Sequence, residues 1–319
     1  MKYSRIIGTG GYLPEKILTN DDLAKIVETS NEWIVERTGI KRRHIRSPDE
    51  TTTSMAGIAA NRAIEAAGID RSQIQMIVFA TCTPDLFFPN AASTLQRLLG
   101  ITATACPAFD VNIACSGFIY ALSIADQYIR SGMVEHALVV GADSLTRLID
   151  WSDRSTCILF SDGAGAVVLK ADDKPGIYST HLHTDGSYGD LLHVKGDVYN
   201  APSCQYINMQ GNAVFKVAVT KLGEVVEETL RFNNIDKEAI DWLIPHQANL
   251  RIIEATTRRL GFPMEKVILT VEDQGNTSAA SVPLALDIGV RDGRIKPGNL
   301  LLFEAFSAGF AWGSALVRY

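Results

Sequence analysis

Gly68-Ile69-Asp70-Arg71-Ser72-Gln73-Ile74-Gln75-Met76-Ile77-Val78 is echoed 166 residues later by Asn234-Ile235-Asp236-Lys237-Glu238-Ala239-Ile240-Asp241-Trp242-Leu243-Ile244. Each is a polar turn feeding an apolar strand. Leu99-Gly100 matches Leu260-Gly261, and Arg130-Ser131-Gly132 matches Arg291-Asp292-Gly293, both at an offset of 161 residues, so one five-residue loop indel accounts for the change. Three matches in one order at nearly constant separation predict two copies of one unit. The fusion point is the turn-forming Ala171-Asp172-Asp173-Lys174-Pro175-Gly176, which divides the chain into residues 1–172 and 173–319. Within each copy, continuous apolar strands (Ile77 to Ala80, Ala137 to Val140, Trp242 to Ile244, Leu300 to Phe303) alternate with helical stretches. An α/β fold with sheets covered on both faces follows.

Composition fits that reading. The chain has 319 residues, 46% of them hydrophobic and 21% charged, which excludes a disordered or collagen-like polymer. Lys and Arg number 30 against 36 Asp and Glu, a net charge of −6 without a polybasic block, so nucleic-acid binding lacks its main driving force. Met1 to Gly11 has no apolar core of the length a secretory signal needs, and a cytoplasmic location is expected. Leu300 to Val317 carries one charge, Glu304, but Ser307, Gly309, Gly313 and Ser314 divide it into two buried strands rather than a membrane span. The five cysteines, Cys82, Cys106, Cys115, Cys157 and Cys204, are widely spaced and are expected to be reduced.

Open α/β sheets bind ligands at the carboxyl ends of their strands. Phe109-Asp110-Val111 reads as such a strand, with Cys115 opening the helix whose apolar face is Phe118, Ile119, Leu122, Ala125 and Ile129. In the second copy Val267 to Val271 reads as a strand and Asn276-Thr277-Ser278 as a helix start. The 161-residue offset makes Cys115 and Asn276 equivalent positions. A helix N-terminus lowers a thiol's pKa, which predicts a nucleophilic Cys115 near neutral pH. A third strand ends in Pro245-His246-Gln247-Ala248-Asn249, so Cys, His and Asn from three strand ends are expected in one crevice. Taken alone, a cysteine is more often inert core and His246 a mere strand end; the three together favour catalysis.

Other features read as structure. His181 and His183 share one strand face without a third ligand of suitable spacing, so no metal is expected. Gly8-Thr9-Gly10-Gly11 and Asp162-Gly163-Ala164-Gly165-Ala166 lack nucleotide-binding spacing and read as tight turns. Asn249 to Leu260 reads as a helix with Leu250, Ile253, Thr257 and Leu260 inward. Arg251 and Arg258 lie on another face, with Arg259 beside them, a basic surface for an anionic partner.

Ala114-Cys115-Ser116-Gly117-Phe118, residues 245 to 249 and Gly275-Asn276-Thr277-Ser278-Ala279-Ala280-Ser281 together resemble the β-ketoacyl-[acyl-carrier-protein] synthase III enzymes of bacterial type II fatty acid synthesis. The similarity runs from Gly8-Thr9-Gly10-Gly11-Tyr12-Leu13-Pro14 to the closing residues 312 to 318. The resemblance implies a thiolase-like fold of two duplicated halves in five α-β-α-β-α layers, a homodimer, and a decarboxylative Claisen condensation. Cys115 would take the acyl group of an acyl-CoA primer such as acetyl-CoA. His246 and Asn276 would stabilise the enolate formed from malonyl-acyl-carrier protein, and no cofactor or metal would be needed. The oxyanion hole would be the backbone N–H groups of Cys115 and Ala308, the latter at a position where the family usually carries glycine. Trp33 would stack on adenine, with Arg37 and Arg154 near phosphates, Asn212 and Asn249 along the pantetheine, and Phe88 and Phe306 at the substrate. Gln247, Arg251, Lys216 and Arg258 would meet the carrier protein. Competing readings are a secondary-metabolism relative with another acceptor, a Cys-His-Asn hydrolase, and a non-enzymatic acyl-carrier binder.

Overall fold

The computed structural model describes residues 2–101, 105–195 and 206–319; Cys204 lies outside them. The first half contains β1 (Tyr3–Tyr12), α1 (Asn31–Thr38), α2 (Thr52–Ala67), β2 (Met76–Ala80), α3 (Ala91–Leu98), β3 (Ala108–Val111), α4 (Gly117–Arg130), β4 (His136–Ser144) and β5 (Asp162–Asp172). The second contains β6 (Ile177–Thr184), α5 (Gly211–Asn233), β7 (Trp242–Pro245), α6 (Leu250–Leu260), α7 (Ser281–Arg291), β8 (Leu300–Ser307) and β9 (Ala311–Arg318). Sheet order is β1-β5-β4-β2-β3 in the first half and β7-β8-β9-β6 in the second. The turn after β5 joins them.

The repeat is visible in local chemistry. In both halves a long helix ends on a left-handed residue, Gly68 (φ 65) and Asn234 (φ 51), followed by a single 3-10 turn and the strand β2 or β7. Glycine has no Cβ penalty there and asparagine tolerates it, which is why these two types occupy the position. The second sheet lacks a full counterpart of β3. Val267 makes only an isolated parallel bridge to Leu243, and Val271 already begins a short helix, so the expected strand Val267 to Val271 is not formed. The Gln247 side chain takes its place. It donates to Pro245 O (2.8 Å) and Ile268 O (3.0 Å) and accepts from Thr270 N (2.8 Å) and Val271 N (3.1 Å), satisfying backbone groups that a ladder would otherwise pair.

Two glycine-rich segments expected as turns lie within strands, β1 and β5. A Cβ on Gly8 or Gly10 would fall 2.2 Å from the carbonyl oxygen of Ala63 or Ala59 of α2, so these glycines serve close helix–sheet approach. Helices α2 and α3 cover the outer face of the first sheet, α5 and α6 that of the second, and α4 and α7 fill the layer between. The central layer is the main core: Phe118, Ile119, Leu122, Ala125 and Ile129 of α4 are fully buried among Met76, Val78, Phe303 and Val317. Each large side chain there contributes about 1.5–3 kcal/mol. Leu300 to Val317 is the antiparallel pair β8–β9, and among the described residues no helix is long and apolar enough to cross a membrane.

Candidate active site

The carboxyl ends of β3 and β7 and the loop before α7 meet at the seam between the halves. Beyond β3, one 3-10 turn (Ala114–Ser116) carries Cys115 into α4; beyond Asn276, an equivalent turn (Ser278–Ala280) leads into α7. Each turn begins on a non-glycine residue with positive φ, Ala114 (φ 41) and Ser278 (φ 54). Such strain costs on the order of 1–3 kcal/mol and persists where neighbours impose it. The turns and helices of the two halves begin 164 residues apart, Gly117 against Ser281, so Ala279 is the positional counterpart of Cys115. Asn276 lies three residues earlier, not at the equivalent position its sequence offset suggests; α7 is three residues shorter than α4, and that difference produced the 161-residue match downstream.

Cys115, His246 and Asn276 line one cavity of about 390 Å³. Asn276 is oriented by Ser278, whose N–H donates to its side-chain oxygen at 2.9 Å and leaves the amide nitrogen to donate. His246 is fixed through its backbone, N–H to Glu304 O at 2.8 Å, and its Nδ1 has no partner among the described residues. Burial lowers the imidazole to about 3, so the ring is neutral at pH 7 and carries one N–H without a charge. Glu304, buried on β8, is pushed the other way by the same desolvation, up to about 8.

The thiol departs from expectation. Burial raises Cys115 to about 12, Asp143 adds to the rise, and the Ser278 hydroxyl and the residue's own N–H pull against it. A helix terminus is worth at most about 2 kcal/mol, whereas a shift from 9.0 to about 12 represents about 4 kcal/mol. Desolvation wins, and the resting side chain is a protonated thiol.

Asp143 and Ser278 are the residues that sequence reasoning missed. Asp143 is fully buried and accepts from Thr81 Oγ1 (3.0 Å), Cys82 N (2.9 Å), Thr83 Oγ1 (2.8 Å) and Ala279 N (3.3 Å). A lone acid closing the apolar run Ala137 to Ala142 was the available signal. Ser278 lies within the motif Gly275 to Ser281, but its role depends on a backbone angle.

Trp33, Arg37, Asn212, Asn249, Arg251 and Phe306 also line the cavity. The guanidinium of Arg37 lies 4.3 Å and that of Arg154 4.9 Å from the Trp33 ring centroid, which gathers aromatic and cationic groups at the mouth, although Arg154 itself is not on the wall. Asn249 caps α6 by accepting from Arg251 N (2.8 Å) and donates to Arg37 O (3.1 Å). Ala308 is not on the wall, where Ser307 stands instead. The positive φ (136) falls on Gly309, so alanine at 308 is unstrained. Phe88 is 87% exposed and does not bound its own chain's cavity; with Leu86 and Phe87 it forms an exposed apolar patch. Lys216, Arg251 and Arg258 are exposed on neighbouring α5 and α6. Gln247 is 1% exposed with both ends of its amide bonded, so the expectation that it meets a carrier protein is corrected: it is a buried strut. His181 and His183 both bond Glu228, at 3.3 and 2.6 Å, and no group able to hold a metal is found among the described residues.

Comparison with known proteins gives the family. Residues 109–186 match the family model for 3-oxoacyl-[acyl-carrier-protein (ACP)] synthase III, and residues 230–319 match the model for its C-terminal part. The chain is 60% identical to β-ketoacyl-[acyl-carrier-protein] synthase III of Salmonella arizonae, covering 99% of this chain and all of that one. It is 58% identical to the protein of the same name from Thioalkalivibrio sulfidiphilus over the whole of both. The crystal structure of 3-oxoacyl-[acyl-carrier-protein] synthase III from Aquifex aeolicus superposes with a TM-score of 0.93 at 46% identity, over 99% of this chain and 100% of that one. A thiolase-type duplicated α/β frame, a cavity shared by thiol, imidazole and carboxamide, and full-length likeness of this strength leave one assignment: the chain belongs to the β-ketoacyl-[acyl-carrier-protein] synthase III family of condensing acyltransferases.

Proposed function

We propose that this chain joins the acyl group of an acyl-CoA primer, acetyl-CoA in the simplest case, to malonyl-acyl-carrier protein, using Cys115, His246 and Asn276. The observation that carries the proposal is the convergence of these three side chains on one cavity. In the first half-reaction the Cys115 sulfur attacks the thioester carbonyl, the carbonyl-to-sulfur bond of the primer breaks, and CoA leaves with the thiol's proton. A thiol held protonated until substrate arrives suits that exchange. In the second, the bond between the malonyl Cα and its carboxylate breaks, releasing carbon dioxide and leaving an enolate. Neutral N–H donors from His246 and Asn276 stabilise its oxygen, in a buried site where such donors count most. The Cα then attacks the acyl-Cys115 carbonyl, giving a 3-ketoacyl thioester and expelling the sulfur as a thiolate, which takes a proton from water to restore the thiol. The oxyanion of each acyl transfer would be held by the N–H groups of Cys115 and Ala308. With that one proton from solvent the steps balance, and they call on no metal or cofactor.

Trp33, Arg37 and Arg154 would receive the nucleotide end of CoA, and Asn212 and Asn249 its pantetheine arm. Arg251, Lys216 and Arg258 would dock the acidic carrier protein. The exposed Leu86-Phe87-Phe88 patch favours a homodimer in which Phe88 is covered by the partner. Residues 1–172 and 173–319 are proposed as the two domains, working in the cytoplasm. The test is product analysis with acetyl-CoA and malonyl-carrier protein. Equal amounts of carbon dioxide, CoA and 3-ketoacyl-carrier protein are expected; free acetate released without malonate would mean a hydrolase instead.

A further inference from the structure

Cys82 is a thiol that none of these steps uses. Ala80 of β2 pairs in parallel with Val111 of β3, so Cys82 and Cys115 leave neighbouring strand ends, two and four residues on. The Cys82 sulfur donates to Asp143 Oδ1 at 3.4 Å, and the other oxygen of that carboxylate accepts Ala279 N–H at 3.3 Å. That pins the Cys82 loop to the turn carrying Ser278. The Ser278 side chain is 1% exposed, its oxygen completes no hydrogen bond, and it lies close enough to both thiols to favour their ionised forms. A charge on the Cys115 sulfur would hold the Cys82 thiol further toward its protonated form. Both cysteines retain partial exposure, whereas Cys106 and Cys157 are buried.

We propose that Cys82 is a resolving thiol for Cys115: when a hydroperoxide oxidises Cys115, Cys82 captures it in a reversible 82–115 disulfide that shuts the acylation site and prevents permanent loss. In the first step the Cys115 sulfur attacks one peroxide oxygen and the O–O bond breaks. The peroxide is reduced to water or an alcohol, and Cys115 becomes a sulfenic acid. In the second step the Cys82 sulfur attacks the Cys115 sulfur, the S–O bond breaks, and hydroxide leaves as water with the Cys82 proton. An external dithiol restores both. Cys115 is only partly exposed and its thiol is protonated at rest, so the first step is slow and the device answers sustained oxidant rather than traces. The inference needs Cys115 as a reachable sulfur and not as an acyl carrier, so it stands or falls apart from the condensation chemistry.

The test treats the full-length protein with hydrogen peroxide, blocks residual thiols, and maps peptides by mass spectrometry without reduction. An 82–115 linked peptide that disappears with dithiothreitol is expected. Cys82→Ser and Cys82→Ala should accumulate at least fivefold more Cys115 sulfinic and sulfonic acid than the wild type, none of it recovered by dithiothreitol. Two variants are compared so that a folding defect in one, checked by its melting temperature, does not decide the result. Equal irreversible oxidation in wild type and variants, or Cys115 linked instead to Cys106, Cys157, Cys204 or a second chain, would overturn the proposal.

Discussion

Replacing Gln247 by alanine separates a strut from a docking residue. Its side-chain amide satisfies two carbonyls, Pro245 and Ile268, and two N–H groups, Thr270 and Val271, in a position 1% exposed. Each buried group left without a partner costs about 1–3 kcal/mol. Water entering the vacated space recovers part of that, so about 1 kcal/mol per group, or about 4 kcal/mol in all, is the expected loss. Unfolding entropy for a chain of this length is roughly 0.7 kcal/mol per kelvin, which converts the loss into a melting temperature lower by about 6 °C. His246 is the preceding residue, so the turnover number should fall at least tenfold, while the KM for malonyl-carrier protein stays within twofold. Thermal denaturation and steady-state kinetics on one preparation give both numbers. A melting temperature within 2 °C of wild type together with a raised KM would refute the strut and restore Gln247 to the docking surface.

Alkylation of Cys115 by iodoacetamide, followed on its own peptide, should quicken about tenfold per pH unit from pH 7 to 9.5, because a thiol held near 12 ionises further throughout that range; a plateau between pH 6 and 8 would show a thiolate already formed. Gly10→Ala should destabilise by more than about 3 kcal/mol, since its Cβ would meet Ala59 O at 2.2 Å. Gly57→Ala, in α2 with its nearest neighbour at 3.9 Å, should stabilise by about 0.5–1 kcal/mol in the same denaturation assay, and like effects from the two would contradict the close-approach account of β1. Arg251→Glu should raise the KM for malonyl-carrier protein at least fivefold at low salt, with the gap narrowing as salt increases, and a salt-independent difference would argue against electrostatic docking.

The duplicated frame was readable because local chemistry repeats with it: the left-handed caps at Gly68 and Asn234 and the turns feeding β2 and β7 are short-range features written in residue type. What escaped reading depended on distant partners. Gly8 and Gly10 resemble turn glycines until α2 is laid across them, and Gln247 looks like a surface residue until the missing fifth strand is known. The Cys115-to-Asn276 equivalence failed for a similar reason, since a three-residue difference in helix length is invisible without the helix ends. The protonation state of the Cys115 thiol is the clearest case. A helix start can be read from sequence, whereas the burial that outweighs it is a property of the assembled halves. Cys115, His246 and Asn276 themselves were found because each closes a strand end or opens a helix, places that periodicity locates well.

Intact-mass measurement after mixing the enzyme with acetyl-CoA, run beside a decarboxylation assay on malonyl-carrier protein, bears most directly on the proposed division of labour. The wild type, His246→Ala and Asn276→Ala should all gain one acetyl group on residue 115, Cys115→Ser should gain none, and the two donor variants should release little or no carbon dioxide. An acetyl group on another cysteine, or undiminished carbon dioxide release from the His246 and Asn276 variants, would contradict the three-group site.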